Sequence, residues 1–304
     1  MKLISVLMST YNEPVEYVEK AVESILMQSY SNIEFIIIVD DPDNKSVIEY
    51  LKMCKKKDTR VQIRINEKNR GLVASLNRGL QYCKGEYIAR MDSDDISKPL
   101  RLERQLSYMT EHNYDLVGSG IETFTDREVI GEFYSPENVI KCKKGLRYYT
   151  SVQHPTWMCR REVYEKLEGY RNIKACEDYD FLIRAVLYGF RIANCPEILL
   201  EYRRNMSSIS NTNKYTQKVI ANFLACNFRH GKVVEVEEYE SYIQSKEYEK
   251  AVLRQQELEQ NKIEFKKTKN LSKKFFLLMK VLTNFEYISQ RLVIEKTSKR
   301  EKKS

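Results

Sequence analysis

The chain has 304 residues, 42% of them hydrophobic, and a net charge of +8, a size that suits one large α/β domain with an appendage or two small domains. The charge is unevenly spread: residues 261–304 carry 13 Lys and Arg against 4 Glu, which leaves the first 260 residues close to neutral. A near-neutral body argues against a nucleic-acid-binding core, whose basic face belongs to the folded domain itself.

Residues 3–9 read as an apolar first strand rather than a signal peptide. Asn12-Glu13-Pro14 opens a helix in which Val15, Val18, Val22, Ile25 and Leu26 recur at helical spacing. Residues 33–39 are almost continuously apolar, as in a strand buried on both faces of a parallel sheet. Asp40-Asp41 ends that strand, and a helix is expected to about Cys54. A third strand follows at 61–65, and Asn69-Arg70-Gly71 then starts a helix with Leu72, Leu76, Leu80 and Cys83 on one face. The strand at 86–91 ends in Asp92, Asp94 and Asp95.

Four β-then-α units predict a doubly wound, mainly parallel sheet. The polar clusters after each strand, Thr10-Tyr11-Asn12-Glu13, Asp40-Asp41, Asn69-Arg70-Gly71 and Asp92 to Asp95, then share the carboxyl-end rim where such sheets bind ligands. Beyond residue 115 the pattern loosens. Strands are expected at 115–120, 155–159, 190–193 and 197–202, helices at 161–168 and 177–188, and mostly helix from 214 to the end. No run of about 18 apolar residues is present, so nothing spans a membrane by itself. Seven scattered cysteines, with no C-x-x-C spacing, suit a reducing cytoplasm.

Three carboxylates within four positions repel one another. Either a hard divalent cation, here also touching a phosphorylated substrate, or basic side chains nearby offset them, or the run is a solvated acidic turn capping the next helix. A second acidic group, Glu177-Asp178, begins a helix and complements its macrodipole. Phase separates the two: Asp178 falls on the inward stripe with Phe181, Leu182 and Ala185, whereas Glu177 and Asp180 lie off its centre and meet solvent more easily. An inward carboxylate needs partners or a task, and general base in a cleft is such a task.

Taken together, residues 3–210 resemble the family 2 glycosyltransferases of the GT-A fold, in particular those of bacterial surface and capsular polysaccharides. The resemblance rests on Ser5 to Glu13, Ile36 to Asp41, Asn69-Arg70-Gly71 through Asn77-Arg78-Gly79, the D-x-D run Met91 to Asp95 with Pro99, Arg101 and Gln105, and Glu177-Asp178 heading Phe-Leu-Ile-Arg. It implies an α/β fold of Rossmann-like GT-A type with a helical C-terminal extension. Residues 1–212 would be the catalytic domain (1–98 the nucleotide-sugar half, 99–212 the acceptor half) and 213–304 the basic extension. It implies an inverting enzyme that moves a sugar from a nucleotide diphosphate sugar, UDP preferred, to a hydroxyl of a glycan or lipid-linked saccharide. By the same resemblance Thr10, Tyr11, Glu13, Asp40, Asn69, Arg70, Asp92 and Arg203 would bind the donor. Asp94 and Asp95 would hold Mn²⁺ or Mg²⁺, and Asp178 would be the catalytic base. His154, Trp157 and Glu177 would face the acceptor, although core packing is the competing reading for His154 and Trp157. One departure stands out: Asn205 occupies the place of a histidine in the Tyr-Arg-x-His segment of many relatives, which leaves Arg203 or Arg204 to meet the phosphate charge.

In the tail, Phe275, Leu278, Leu282 and Phe285 share a helical face nearly opposite Lys273 and Lys280. Such a helix either lies in an anionic membrane surface, at the inner face of the cell membrane, or docks on the catalytic domain. Three rival functions remain. A metal-dependent nuclease needs a basic channel that the neutral body lacks. A sugar nucleotidyltransferase calls for a glycine-rich basic loop where this chain has Thr10-Tyr11-Asn12-Glu13-Pro14. A non-catalytic, membrane-associated nucleotide-sugar-binding protein would not depend on Asp178.

Overall fold

The computed structural model describes residues 1–204 and 214–282, apart from the side chains at 273 and 280–282. Asn205, Phe285, and the side chains of Lys273, Lys280 and Leu282, all invoked above, lie outside the described residues.

The first half alternates strand and helix as its hydrophobic periods require: β1 (Ile4–Thr10), α1 (Val15–Leu26), β2 (Ile33–Val39), α2 (Lys45–Lys57), β3 (Val61–Ile65), α3 (Leu72–Leu80) and β4 (Tyr87–Asp92). Every residue of β1 and β2 is buried, as a central strand covered on both faces must be. Helix α1 turns Val18, Ala21, Val22 and Ile25 inward. Helix α2 is capped by the Asn44 side chain, which accepts from the Val47 N–H at 3.3 Å.

The second half adds β5 (Ile96–Ser97), α4 (Arg101–His112), β6 (Leu116–Phe124), β7 (Val129–Phe133), α5 (Val139–Gly145), β8 (Met158–Arg160), α6 (Arg161–Lys166), α7 (Glu177–Leu187) and β9 (Ile192–Arg203). Four helices follow: α8 (Lys214–Arg229), α9 (Val236–Ile243), α10 (Lys246–Lys267) and α11 (Leu271–Leu282). Among the described residues, all the strands belong to one sheet ordered β3-β2-β1-β4-β8-β6-β9-β5, with β7 paired to β6. Strands β1 to β4 are mutually parallel where they pair, while β8 is antiparallel to both β4 and β6.

Side chains alternate between two cores. Ile4, Val6, Met8, Phe35 and Ile37 pack with α1, α2 and α4 on one face; Leu7, Ile36, Ile38 and Ile88 pack with α3, α6, α7 and α8 on the other. The result is helix, sheet, helix in three layers.

Two differences from the sequence reading have simple causes. The strands expected at 190–193 and 197–202 are one strand, β9, whose pairing with β6 skips from Cys195 to Ile198. Pro196 has no N–H for the ladder, so the chain bulges there and then resumes. Strand β7 had no separate expectation: its exposed Val129 and Ile130 show no inward-facing period that would mark it.

Candidate active site

Register places the first half of the site. Thr10 pairs with Val39, one residue before Asp40, and Ser9 pairs with Asp92, so the ends of β1, β2 and β4 share one rim. At the first end, Glu13 folds back: its Oε2 accepts from Thr10 Oγ1 at 2.7 Å and from the Tyr11 N–H at 2.8 Å. That fixes the turn and leaves the Tyr11 ring 48% exposed, free to meet a planar ligand.

Asp40 is buried at the second end. Its Oδ1 accepts from Asn66 Nδ2 at 2.5 Å and the Arg70 N–H at 2.8 Å, and its Oδ2 from the Gly71 N–H at 2.8 Å. Gly71 has φ +81°, a conformation an L residue adopts only with strain, and Asn69 Oδ1 also accepts from its N–H at 2.9 Å. Asp40 thereby ties the β3–α3 loop to β2, while the side chains of Asn69 and Arg70 remain exposed. Asn66 and Ser75, linked at 2.8 Å, complete this knot and were missed. The signal for Asn66 was a polar residue directly after a strand, beside the Asn69-Arg70-Gly71 turn.

The third end carries the aspartates. Arg90, which was also missed, lies almost wholly buried in β4 and ion-pairs with Asp92 at 2.5 Å. A cation in an otherwise apolar strand, two residues before an acid, was the available clue. Asp94 is half-buried, and desolvation, then the charges of Asp92 and Glu13, push its carboxyl up to about 7. Burial and like charges, only partly offset by Arg203, hold this carboxyl above its ordinary range. Hard oxygen donors of that kind fit a divalent cation. Among the described residues, no group of three His, Cys, Asp or Glu could hold an ion unaided, so phosphate or water oxygens would have to complete the shell.

Three site residues are more buried than their expected roles suggest. Asp95 is 0% exposed; its Oδ1 accepts from the Arg203 N–H at 2.8 Å, and its Oδ2 has no protein partner. Arg203 does not reach out to a donor phosphate. It is buried between the rings of Tyr17 (4.0 Å) and Phe124 (4.5 Å), ion-pairs with Asp126, and donates through Nε to the Asp94 carbonyl at 2.9 Å. It positions the aspartate turn. Trp157 has no exposed surface on which a sugar could stack, because it sits in the core 5.5 Å from Phe181 with its N–H donated to the Val152 carbonyl at 3.2 Å.

His154 is half-buried against Trp157, with Nε2 at 2.8 Å from Tyr170 Oη. Burial, then the charge of Arg90, hold its proton affinity well below that of an ordinary histidine. It is therefore neutral, and one ring nitrogen is already engaged.

Helix α7 delivers the second acidic group. Phe181, Leu182 and Ala185 are fully buried, and Asp178 on the same stripe borders a cleft. Its Oδ1 accepts from the Tyr179 N–H at 2.7 Å. Desolvation is the main cause that raises its carboxyl to about 6, and the charge of Asp92 adds to it. Glu177 is half-buried and raised to about 7 by desolvation and then by Asp178. Asp180 corrects the phase argument. It is 2% exposed and ion-paired with Arg184 at 2.8 Å and with Arg171. Two guanidinium groups make a buried position tolerable that periodicity alone assigned nearer to solvent.

With this geometry in view, the chain can be set beside known proteins. The sequence model described as "Glycosyl transferase family 2" matches residues 5–168. The O-antigen biosynthesis glycosyltransferase WbnJ of Escherichia coli is 35% identical over 250 residues, covering 77% of this chain and 97% of its own. The UDP-Glc:alpha-D-GlcNAc-diphosphoundecaprenol beta-1,3-glucosyltransferase WfgD of E. coli is 29% identical, over 71% of this chain and 82% of its own. Among solved structures, S. aureus TarS 1-349 in complex with UDP superposes with TM-score 0.58 at 16% identity, over 96% of this chain and 91% of that one. The mannosyltransferase PcManGT from Pyrobaculum calidifontis, in complex with GDP-Man and Mn²⁺, gives TM-score 0.58 at 14% identity, over 95% and 83%. This chain spans 44% of a longer TarS structure. The matched family region, the identity to WbnJ and the shared sheet architecture lead to one conclusion: the chain belongs to glycosyl transferase family 2, a family of transferase enzymes, and has the GT-A fold.

Proposed function

We propose that this chain moves a sugar from a nucleotide diphosphate sugar, with UDP preferred, to a hydroxyl of a glycan or lipid-linked saccharide in polysaccharide biosynthesis, with inversion at the anomeric carbon. The observation that carries the reading is the carboxyl of Asp178, which borders a cleft at the start of α7 and is raised to about 6 mainly by desolvation, with the charge of Asp92 at the end of β4 adding to it. Perturbed carboxylates of this kind gather at functional sites. The names of WbnJ and WfgD support the polysaccharide and UDP assignments.

In this reading Thr10, Tyr11, Glu13, Asn69 and Arg70 surround the nucleotide. Asp40 Oδ2, which has one partner, accepts from the base ring N–H while also holding the loop. Asp94, with Asp92 beside it, holds Mn²⁺ or Mg²⁺, a use that the Mn²⁺ complex of PcManGT supports. When bound, the cation stabilises negative charge on the departing diphosphate. Asp178 takes the proton from the acceptor hydroxyl as that oxygen attacks the anomeric carbon from the face opposite the leaving group. One bond forms as the other breaks, so no enzyme nucleophile is needed. Glu177, beside the base, contacts the acceptor.

No helix among the described residues is long and apolar enough to cross a membrane. On α11, Phe275 is 67% and Met279 46% exposed. This apolar face, followed by the basic tail, supports attachment to an anionic membrane surface on the cytoplasmic side.

The test is a panel of sugar nucleotides with Mn²⁺, scored for diphosphate release, with any hit repeated for Asp178→Asn. Release from a UDP-sugar that fails in the variant is expected. No donor binding or turnover across the panel would remove the transferase reading, and a fully active variant would remove the base.

A further inference from the structure

Helix α7, which carries Asp178, starts without a cap of its own. Cys176 holds the capping position, and its side chain accepts no N–H of the first turn, where a capping side chain would otherwise fix the helix start. Residues 167–176, between α6 and α7, form neither helix nor strand. No ladder of their own therefore sets where α7 begins.

The C-terminal extension holds this segment. Arg171 Nη2 donates to the Val234 carbonyl at 2.7 Å, and the Lys174 N–H to Tyr239 Oη at 3.2 Å. Gln217 Nε2 donates to the Ala175 carbonyl at 2.9 Å, and the Cys176 thiol to the Gln217 carbonyl at 3.5 Å. Between these bonds Ile173 is fully buried, in one apolar cluster with Leu224, Phe228, Val234 and Tyr239. Arg171 carries the connection into the helix, because its guanidinium also ion-pairs with Asp180 in the first turn of α7.

Apolar burial alone would account for an extension that merely covers the core. It does not account for polar groups from α8 and α9 aimed at the backbone of one segment. Tyr239 is 3% exposed, and a hydroxyl buried that deeply is costly unless it is paired; here the Lys174 N–H meets it. Ala175 has φ +57°, a conformation that costs a non-glycine residue energy and persists where its surroundings over-determine it. The Gln217 amide on its carbonyl is one such constraint. A group that takes a proton during bond formation must be held in a narrow geometry, and small displacements from remote changes are expensive.

We propose that Tyr239 and Gln217 are positioning residues for transfer: from α9 and α8 they clamp residues 171–176 and through them orient the carboxylate of Asp178. This rests on the reading of Asp178 as the base and adds what holds it in place. The extension is thereby part of the machinery of transfer. Tyr239, buried in the core, acts without touching substrate.

Full-length Tyr239→Phe, which keeps the ring in the core and removes the hydroxyl, is compared with the parent and with Glu238→Gln, which alters the neighbouring Glu238–Lys232 pair (2.8 Å) on the same helix. Amide hydrogen exchange over residues 171–178, with UDP and Mn²⁺ present, reads the clamp. The kcat and donor KM, measured with the sugar nucleotide of highest turnover in the panel above, read its effect on transfer. Tyr239→Phe is expected to speed exchange across the segment about tenfold and to lower kcat about tenfold, with donor KM within a factor of two. Gln217→Met, made separately, is expected to give the same pattern, and Glu238→Gln to change neither quantity, with thermal unfolding reporting that all three fold. Unchanged exchange in both Tyr239→Phe and Gln217→Met, faster exchange with kcat within a factor of two of the parent, or an equal loss in Glu238→Gln would overturn the proposal. Full transfer by Asp178→Asn would refute the base alone, and unchanged exchange, which is read without turnover, would refute the clamp alone.

Discussion

The charge of Asp92, at the end of β4, raises the proton affinity of Asp178, in the first turn of α7. These residues are remote in sequence and lie on different elements, yet the fold makes them electrostatic neighbours. It also places Arg90 where it ion-pairs with Asp92 at 2.5 Å and opposes the rise at Asp178. The carboxylate that would take a proton thus lies within electrostatic reach of the turn that would hold the leaving group.

Removal of the base tests that coupling directly. Asp178→Asn keeps an oxygen that can accept from the Tyr179 N–H, so the helix start is preserved. It should lower kcat by about 10²–10⁴-fold and leave UDP affinity unchanged. Steady-state transfer and UDP titration on the same preparation check both halves; a kcat within a factor of two of the parent would sink the assignment.

The pH profile has a defined sign. A carboxyl raised from 3.8 to about 6 is protonated below that value, so kcat/KM should fall as pH drops through about 6. The stability effect runs the opposite way. The folded state holds the proton more tightly than the unfolded chain, so stability present below about pH 4 is lost as pH rises towards 6. Above pH 6, Asp178→Asn should therefore be more stable than the parent, by roughly 1–2 kcal/mol after allowance for partial exposure. Urea denaturation of the metal-free protein at pH 5 and pH 8 measures this.

Metal removal separates Asp94 from Asp95. Chelation should abolish transfer, and Asp94→Asn should weaken Mn²⁺ binding at least about tenfold, ~1.4 kcal/mol. Asp95→Asn should act mainly on stability, because Asp95 holds the Arg203 backbone. Titration with Mn²⁺ and thermal unfolding of both variants decide; equal loss of metal affinity would restore Asp95 as a ligand.

Asp180 anchors the helix that carries the base. Asp180→Ala would leave the buried Arg184 without its carboxylate and the half-buried Arg171 with only Glu235, at a cost of about 3–5 kcal/mol. The exposed Lys2–Glu86 pair (2.7 Å) is the internal comparison, and Glu86→Ala should cost no more than ~1 kcal/mol. Denaturant midpoints of the two variants would coincide if the buried network contributed nothing.

Trp157 offers a clean choice between core and acceptor site. Trp157→Ala should cost about 3–5 kcal/mol, and the milder Trp157→Phe should leave acceptor KM unchanged while lowering Tm. A raised KM at unchanged Tm would mean that the ring touches substrate after all.

The strands and helices of the first half were legible because burial there follows simple periods. Residues 33–39 and 61–65 are strands with the bounds expected, and β1, α3 and β4 fall within a residue or a few of theirs. The rim clusters were legible for the same reason, since parallel strands must present their carboxyl ends together. Phase in α7 sets Asp178 apart from Glu177, yet both are half-buried, and it misjudges Asp180, whose burial depends on guanidinium groups from Arg171 and Arg184. Asp95 and Arg203 were read as ligand-binding groups because their residue types suit that work. The pairing of β5 with β9 instead sets the Arg203 N–H on Asp95, while the Arg203 guanidinium turns to Asp126 and the Asp94 carbonyl.

The sequence by itself therefore determined the alternating α/β order, the polar rim and the candidate carboxylates, because each is a local matter of period and residue type. Only the tertiary structure decided how deeply each carboxylate is buried and what meets it. Asp94 and Asp178 are half-buried, Asp180 is ion-paired with two guanidinium groups, and Asp95 is buried with the Arg203 N–H on one oxygen. The physical reason is that the energy of a buried charge depends on its partners across the fold, and nothing in the local chain records them.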